Sequence, residues 1–388
     1  KVMENSNLPI IRVKEFDNLW ESNKISKIVR ISAGGDIDKL KLRKKGKYPV
    51  IANSLMDDGI VGFYDDYKVE APAVTVTGRG AVGHAVARHE NFTPIVRLLT
   101  LKSNKIDVDF MENLINSIHI LNESTGVPQL TAPQLGSYKI SFPSLAEQSA
   151  IGSLFRTLDD LLTSYKDNLA NYQSLKATML SKMFPKAGQT VPEIRLDGFE
   201  GEWELLEIND LADDFQSGGT PKTNVQEYWD GDIPWIQSSD LETNCLFETK
   251  VQKSISEKGL KNSSAKIIPK DSIAVVTRVG VGKLAVMRHE YATSQDFLSF
   301  SNLKSNIEFT AYLLYRLLQK EVTQLQGTSI KGITKVELLS KKVLIPSLPE
   351  QQAIGAYFSN LDQLITSYQE KISQLETLKK KLLQDMFI

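Results

Sequence analysis

The chain has 388 residues, more than one ordinary hydrophobic core accommodates, so two or three domains are expected. Hydrophobic (41%) and charged (24%) residues stand at the levels of a soluble globular protein, and no apolar run approaches the length that crosses a bilayer. The net charge of −1 excludes a uniformly basic nucleic-acid binder, although DNA affinity follows where cations cluster rather than their sum.

In chain order, Lys1-Val2-Met3-Glu4-Asn5 lacks the apolar core of a signal peptide. With one cysteine, Cys245, ruling out a disulfide framework and an all-cysteine metal site, the expected compartment is the cytoplasm. Pro9, Ile11, Arg12, Phe16, Trp20, Glu21 and Ile25 form a pattern that returns at Pro192, Ile194, Arg195, Phe199, Trp203, Glu204 and Ile208. A basic run follows, Lys39, Lys41, Arg43, Lys44, Lys45 and Lys47, with no acid inside it. Pro72 to Thr77 reads as a buried strand, Gly78-Arg79-Gly80-Ala81-Val82-Gly83 as a turn, and Ala85-Val86 as the returning arm of a hairpin. Phe110, Leu114, Ile115, Ile118 and Leu121 mark a helix, after which come the polar loop Gly126-Val127-Pro128-Gln129 and a short strand.

Ser144-Leu145-Ala146-Glu147 has the spacing of a capping box, with Pro143 disfavouring helix before it. Beyond it Ile151, Leu158, Tyr165, Tyr172 and Met179 recur every seven residues, with Leu154, Leu161 and Leu175 in a second row that Asn168 interrupts. This is a coiled-coil seam on a helix of about 40 residues, roughly 60 Å long. Pro185-Lys186-Ala187-Gly188 ends it and links to a second half.

The second half repeats the plan. A basic stretch from Lys250 to Lys283 holds eight Lys/Arg against Glu257 and Asp271. Ser272 to Thr277, a glycine-containing turn and Ala285-Val286 again read as a hairpin, and Ala85 to Glu90 pairs in sequence with Ala285 to Glu290. Phe309, Leu313, Leu314, Leu317 and Leu318 give the helix, and Gly327 to Gly332 the polar loop. Ser347-Leu348-Pro349-Glu350 opens the second long helix, whose seam is Ile354, Leu361, Tyr368, Leu375 and Leu382, with Tyr357, Leu364 and Leu378 in the second row and Lys371 at the interruption. Residues 140–184 and 343–387 align without a gap at an offset of 203, with 20 identities in 45 positions. The expected fold is mixed α/β (α+β). Its parts are a globular domain over 1–142, a long helix over 143–185, a second globular domain over 186–345 and a second long helix over 346–388. The helices pair antiparallel in an internal pseudo-two-fold repeat.

Residues 78–83 fit the Gly-x-Gly-x-x-Gly pattern of a dinucleotide site. That site needs a helix next, with the pyrophosphate at its N-terminus, whereas a returning strand is predicted and the second copy keeps the turn without the pattern. The histidines His84, His89, His119 and His289 have no ligand spacing around them, and no Ser/His/Asp order or phosphate loop is present. No catalytic centre and no bound metal or cofactor are expected.

Side chains suited to DNA lie instead on the paired loops, where Arg and Lys can meet guanine O6/N7 and Gln or Asn adenine N6/N7. They are Arg79, His84, Arg278 and Lys283 at the hairpins, and Gln129, Ser329 and Lys331 after the helices. Lys222, Gln237 and Ser238 lie at the start of the second half, and Lys41, Arg43 and Lys44 in the first basic run.

Over nearly its whole length the chain resembles the specificity subunits of type I restriction–modification systems (HsdS). The resemblance rests on the paired Pro-Ser-Leu-x-Glu-Gln-x-Ala-Ile segments with their helices ending in Met-Phe. It rests also on Gly218-Gly219-Thr220-Pro221 followed by Tyr228-Trp229-Asp230-Gly231-Asp232-Ile233-Pro234-Trp235-Ile236. The first half departs there, since Ser32-Ala33-Gly34-Gly35-Asp36 is followed by no Thr-Pro and no Tyr-Trp. The resemblance implies a subunit without catalysis whose halves each read one part of a split, asymmetric double-stranded DNA site. It implies helices that set the spacing and dock two methyltransferase (HsdM) subunits, and restriction (HsdR) subunits that join. S-adenosylmethionine and ATP with Mg would then belong to those partners. The other reading left open by the residues is a coiled-coil adaptor presenting two protein-binding modules.

Overall fold

A computed structural model describes residues 8–118, 120, 129–324 and 332–387. The chain divides into two compact units. One comprises 1–167 with 370–388, and the other 168–369.

In the first unit a four-stranded antiparallel sheet runs in the order Arg30–Ala33, Leu99–Lys102, Ala73–Val76, Ala85–Arg88. A three-stranded sheet (Ile60–Tyr64, Tyr48–Ile51, Thr93–Pro94) and the pair Glu21–Lys24 with Lys139–Phe142 complete it. The second unit has the same topology. Its large sheet is Ala212–Ser217, Phe297–Leu303, Ser272–Val276, Leu284–Met287, beside a three-stranded sheet and the pair Glu204–Glu207 with Lys342–Ile345. The strands Ala73–Val76 and Ser272–Val276 are buried along their whole length, as β-branched runs covered on both faces should be.

Strand register refines the sequence pairing by one residue. Val76 faces Ala85 and Leu99, whereas Val275 faces Leu284 and Leu298. Ala85 is therefore matched by Leu284, one residue before the Ala285 that sequence identity selects, and His89 by Arg288. Chemistry follows the register: His89 Nε2 lies 2.7 Å from Asp109, while Arg288 pairs with Glu308.

The long helices span Leu145–Lys182 and Leu348–Met386. Each begins in one unit's core, at Ile151 and Phe155 or at Ile354 and Phe358, and ends in the other's, at Met183-Phe184 or Met386-Phe387. Within each unit the start of one helix therefore lies against the end of the other. Tyr172 meets Tyr368 at 5.5 Å in the second unit, and Lys166 bonds Glu376 at 2.7 Å in the first. The seam row Ile151, Leu158, Ile354 and Leu361 is buried, and Tyr165, Tyr172, Met179, Tyr368, Leu375 and Leu382 are half-buried.

The second row differs from expectation. Leu154, Leu161 and Leu175 are 36–37% exposed, while the residues one position later, Phe155, Leu162 and Lys176, are buried. The stripe is three rows wide, and packing covers one flank of it. The repeated motif that opens each helix also has a long-range reason. Ser144 Oγ accepts the Glu147 amide, as a cap should, but the carboxylates of Glu147 and Glu350 go to Arg12 and Arg195, in two-pronged pairs at 2.7–2.8 Å. Gln148 and Gln351 each accept the backbone N–H of a helix N-cap residue, Asp107 or Asn306, and donate to Pro143 or Pro346. Each motif thus ties together three parts of its own half: the arm before the first strand, which carries Arg12 or Arg195, the helix Val108–Ser117 or Ile307–Gln324, and the long helix.

Candidate nucleic-acid interface

In each half the register sends three loops out of one end of the large sheet. In the second, Ser217 faces Leu298 and Val276 faces Phe297. Gly218-Gly219-Thr220, the hairpin turn 277–283 and the connector 294–296 therefore emerge together. Thr277 N–H donates to Asp296 O (2.8 Å), Ile333 N–H to Thr277 O (2.7 Å) and Thr220 Oγ1 to Gln295 Oε1 (2.6 Å). Lys283 Nζ reaches Ser238 O at 3.2 Å, and Asp240, which is buried, accepts the Gln237 N–H at 3.0 Å. Arg278, Lys283, Gln237 and Ser238 are thereby gathered, with exposed Lys222 two residues beyond Thr220, where its carbonyl accepts Trp229 Nε1 at 3.1 Å. Ser329 and Lys331 lie outside the described residues, as does His119. Gly332, next in the chain, packs against Thr277 and Arg278.

The first half builds the same end from different residues. Ala33 and Val76 both face Leu99. Gly34 stands where Gly218 does, for a Cβ on Gly34 would come within 2.5 Å of Ile95 O and one on Gly218 within 2.4 Å of the matching Ser294 O. The opening is thus shared in backbone even though Thr-Pro and Tyr-Trp are missing from it. Leu130 N–H donates to Gly78 O (2.9 Å), Arg79 bridges Gln129, and Gly78 N–H donates to Asn53 Oδ1 (2.7 Å). Arg79, His84 and Gln129 are exposed around this point. Desolvation, and then Arg88, hold the His84 pKa below its ordinary value, so at neutral pH it is an uncharged donor and acceptor. The turns carry glycine where φ is positive, +71° at Gly80, +88° at Gly83, +93° at Gly280 and +105° at Gly282, and an antiparallel strand follows each. A dinucleotide site, which needs a helix there, does not form.

Lys41, Arg43 and Lys44 are not brought to this end. Arg43 bridges Phe63, whose sheet neighbour is Pro49, at the edge away from Ile51. Arg43 pairs with Asp65 (2.8 Å) and Lys41 with Asp66 (3.8 Å), acids that sit 22 and 25 residues further along the chain. Two cations of the run thus meet exposed acids just past the strand Ile60–Tyr64, beyond the reach of a local reading of the sequence. Conversely, Asn53 and Arg97 join the first half's loop cluster and were passed over. Asn53 Nδ2 donates to Val96 O (2.8 Å), and Arg97 Nη1 to Gln129 Oε1 (3.4 Å). Arg97 had a signal, as a lone cation in the apolar run Pro94-Ile95-Val96-Arg97-Leu98-Leu99. Asn53 had none.

The model of the type I restriction modification DNA specificity domain matches this chain twice, over residues 18–171 and 200–377. The MjaIX specificity subunit of Methanocaldococcus jannaschii is 29% identical over 194 residues, 48% of this chain and 44% of that relative. A putative MjaX specificity subunit of the same organism is 22% identical over 98% of this chain and 95% of its own length. A putative type I specificity subunit of Mycoplasma pneumoniae is 23% identical, over 93% and 94%. Among solved structures, the S subunit of a type I system from M. genitalium superposes with a TM-score of 0.68 at 16% identity, covering 98% of this chain and 99% of that one, a likeness of fold. With both halves matched, the chain belongs to the family of type I restriction–modification DNA-specificity domains and carries two of them.

Proposed function

We propose that this chain is the DNA-specificity subunit of a type I restriction–modification enzyme, itself without catalysis, and that each half reads one part of a split, asymmetric duplex site. The observation that carries the reading is the pair of equivalent sheet ends. Arg79 matches Arg278 and His84 matches Lys283 on one backbone frame, while the side chains around them differ. Phosphate contacts would hold each half in place, and a few base-edge contacts would specify sequence.

The long helices would dock two copies of a methyltransferase subunit. Support comes from exposed leucines that recur at the 203-residue offset: Leu145 and Leu348 (51% and 50% exposed), Leu161 and Leu364 (36% and 44%), Leu175 and Leu378 (37% and 45%). Two like patches suit two like partners. S-adenosylmethionine would be held by those partners and ATP with Mg by restriction subunits.

Exchanging residues 186–342 for the corresponding segment of another such subunit tests the reading. Mapping methylated adenines in a host that carries the chimera should show one half of the motif replaced and the other retained. A motif left whole and unchanged would sink it.

A further inference from the structure

We propose that Arg97 reads a guanine in the half-site bound by the first domain; the assignment rests on the DNA-specificity reading above. Arg97 sits on the connector that enters the central strand Leu99–Lys102, at the sheet end where Arg79, His84 and Gln129 gather. Its backbone is wedged there. A Cβ on Gly78, the first residue of the hairpin turn, would lie 2.3 Å from Arg97 O and 3.0 Å from Leu130 O. The hairpin turn is therefore packed at Gly78 against both the Arg97 backbone and the segment after the helix.

Its backbone is also in a conformation that side chains avoid. Arg97 has φ +68°, a left-handed geometry that glycine adopts without cost and arginine does not. Strain of this kind clusters at positions where the side chain is needed. Arg97 is half-buried as a residue, but its guanidinium reaches the surface, where it makes one bond, Nη1 to Gln129 Oε1 at 3.4 Å, and among the described residues its other nitrogens meet no acceptor. A planar fork held on one side and free on the other suits the O6/N7 pair of guanine.

The second half has no counterpart. Asp296 occupies the equivalent place, its carbonyl against Thr277 as that of Arg97 is against Gly78, and its carboxylate faces the Ser294 hydroxyl at 3.4 Å. A carboxylate repels both phosphate and guanine O6/N7, so the guanine contact belongs to the first half alone.

Arg97→Gly is the decisive variant, because glycine relieves the positive φ while removing the fork, and Arg97→Lys keeps charge without the fork. Each would be expressed in full-length form with its partner subunits, and methylated adenines mapped beside the wild type. For Arg97→Gly we expect a thermal midpoint no lower than wild type and an unchanged second half-site. At one former guanine position the preference should fall roughly 5- to 100-fold, and Arg97→Lys should fall in between. An unchanged motif, an equal loss of methylation at every site, or a lowered midpoint for Arg97→Gly would each overturn the assignment. If the wild type directs no split motif, the specificity reading itself falls, an outcome distinct from a wild-type motif that Arg97→Gly leaves intact.

Discussion

At the scale of single residues, the side chains that hold each half together act over long sequence distances. The capping-box spacing of Ser144 and Glu147 announces a helix start, but nothing near them in sequence announces Arg12, 135 positions away. Such pairs become legible only through the repeat, since Arg12 and Arg195 belong to one shared pattern and Glu147 and Glu350 to another. Glu112 has no such echo. On the helix Val108–Ser117, burial pushes its carboxyl up to about 7, Asp159 and Asp109 add to the effect, and the Ala87 N–H and Lys379 oppose it. A carboxyl raised in the folded state favours folding while protonated, so its contribution is complete below the ordinary value of 4.5 and is lost as pH rises through about 7. Wild type should therefore lose roughly 2 kcal/mol of first-unit stability from this group between pH 5 and pH 8. Glu112→Gln, which still accepts from Ala87, should abolish that part of the slope. Urea midpoints at the two pH values compare them, and parallel slopes would refute the argument.

At the scale of elements, the heptads locate the helices and their seam but not which flank of the stripe is covered. Rows at 151, 154 and 155 all begin apolar, and tertiary packing decides that Phe155 goes in, with Phe110 and Phe387, while Leu154 stays out. The interruption of the seam is similarly misleading. Beyond Asn168, the position that fixes pairing is Lys176, buried against Asp362, with Tyr312 Oη donating to the same carboxylate at 2.7 Å. Burial and the adjacent carboxylate both raise the Tyr312 pKa, keeping it a donor. The offset of 203 makes Lys379 and Asp159 the second copy, yet that pair is wetter, 26% and 44% exposed against 11% and 17%. Its surroundings lack the tyrosine because Asn113 stands where Tyr312 does in the other half. Removing one partner from a buried pair strands a charge, so Asp362→Ala should cost about 3–5 kcal/mol, whereas Asp159→Ala should cost about 1 kcal/mol or less. Lys176→Met combined with Asp362→Leu should recover most of the loss, because the desolvation penalty disappears with the charges. Equal costs at the two sites, read by denaturant unfolding, would mean that burial does not separate them.

At the scale of the molecule, the repeat makes the architecture legible. Two copies of one pattern predicted two halves and two paired helices, and the topology of the sheets is the same in both. What stayed hidden was whatever lacked a copy: the one-residue shift between the hairpins, the acids opposite the basic run, and the connector that carries Arg97. The repeat has a further consequence for connectivity. In the second unit the arm is anchored where Ile194 N–H donates to Lys182 O at 3.0 Å, and residues 183–193 join the two covalently. In the first unit Ile11 N–H donates to Asp385 O at the same 3.0 Å, although the two stand far apart in the sequence. The arm docks through its own contacts, Arg12 to Glu147 among them, so an unbroken covalent link at 185–191 should not be needed, provided Pro185 and Thr190 keep their bonds to Arg316 and Trp203. Joining Ile388 directly to Lys1 would leave 13 residues between Asp385 and Ile11 (386–388 and 1–10), against 11 between Lys182 and Ile194, enough chain to close the gap. A circular permutant that begins at Gly188 and ends at Ala187 should therefore fold with a stability within about 1 kcal/mol of the parent, because the closed loop is nearly the same length. With its partner subunits it should direct methylation to the same split motif. Unfolding curves and methylation maps of the permutant beside the parent decide this, and a permutant that stays unfolded where the parent folds would show that the 185–191 link holds the second half together.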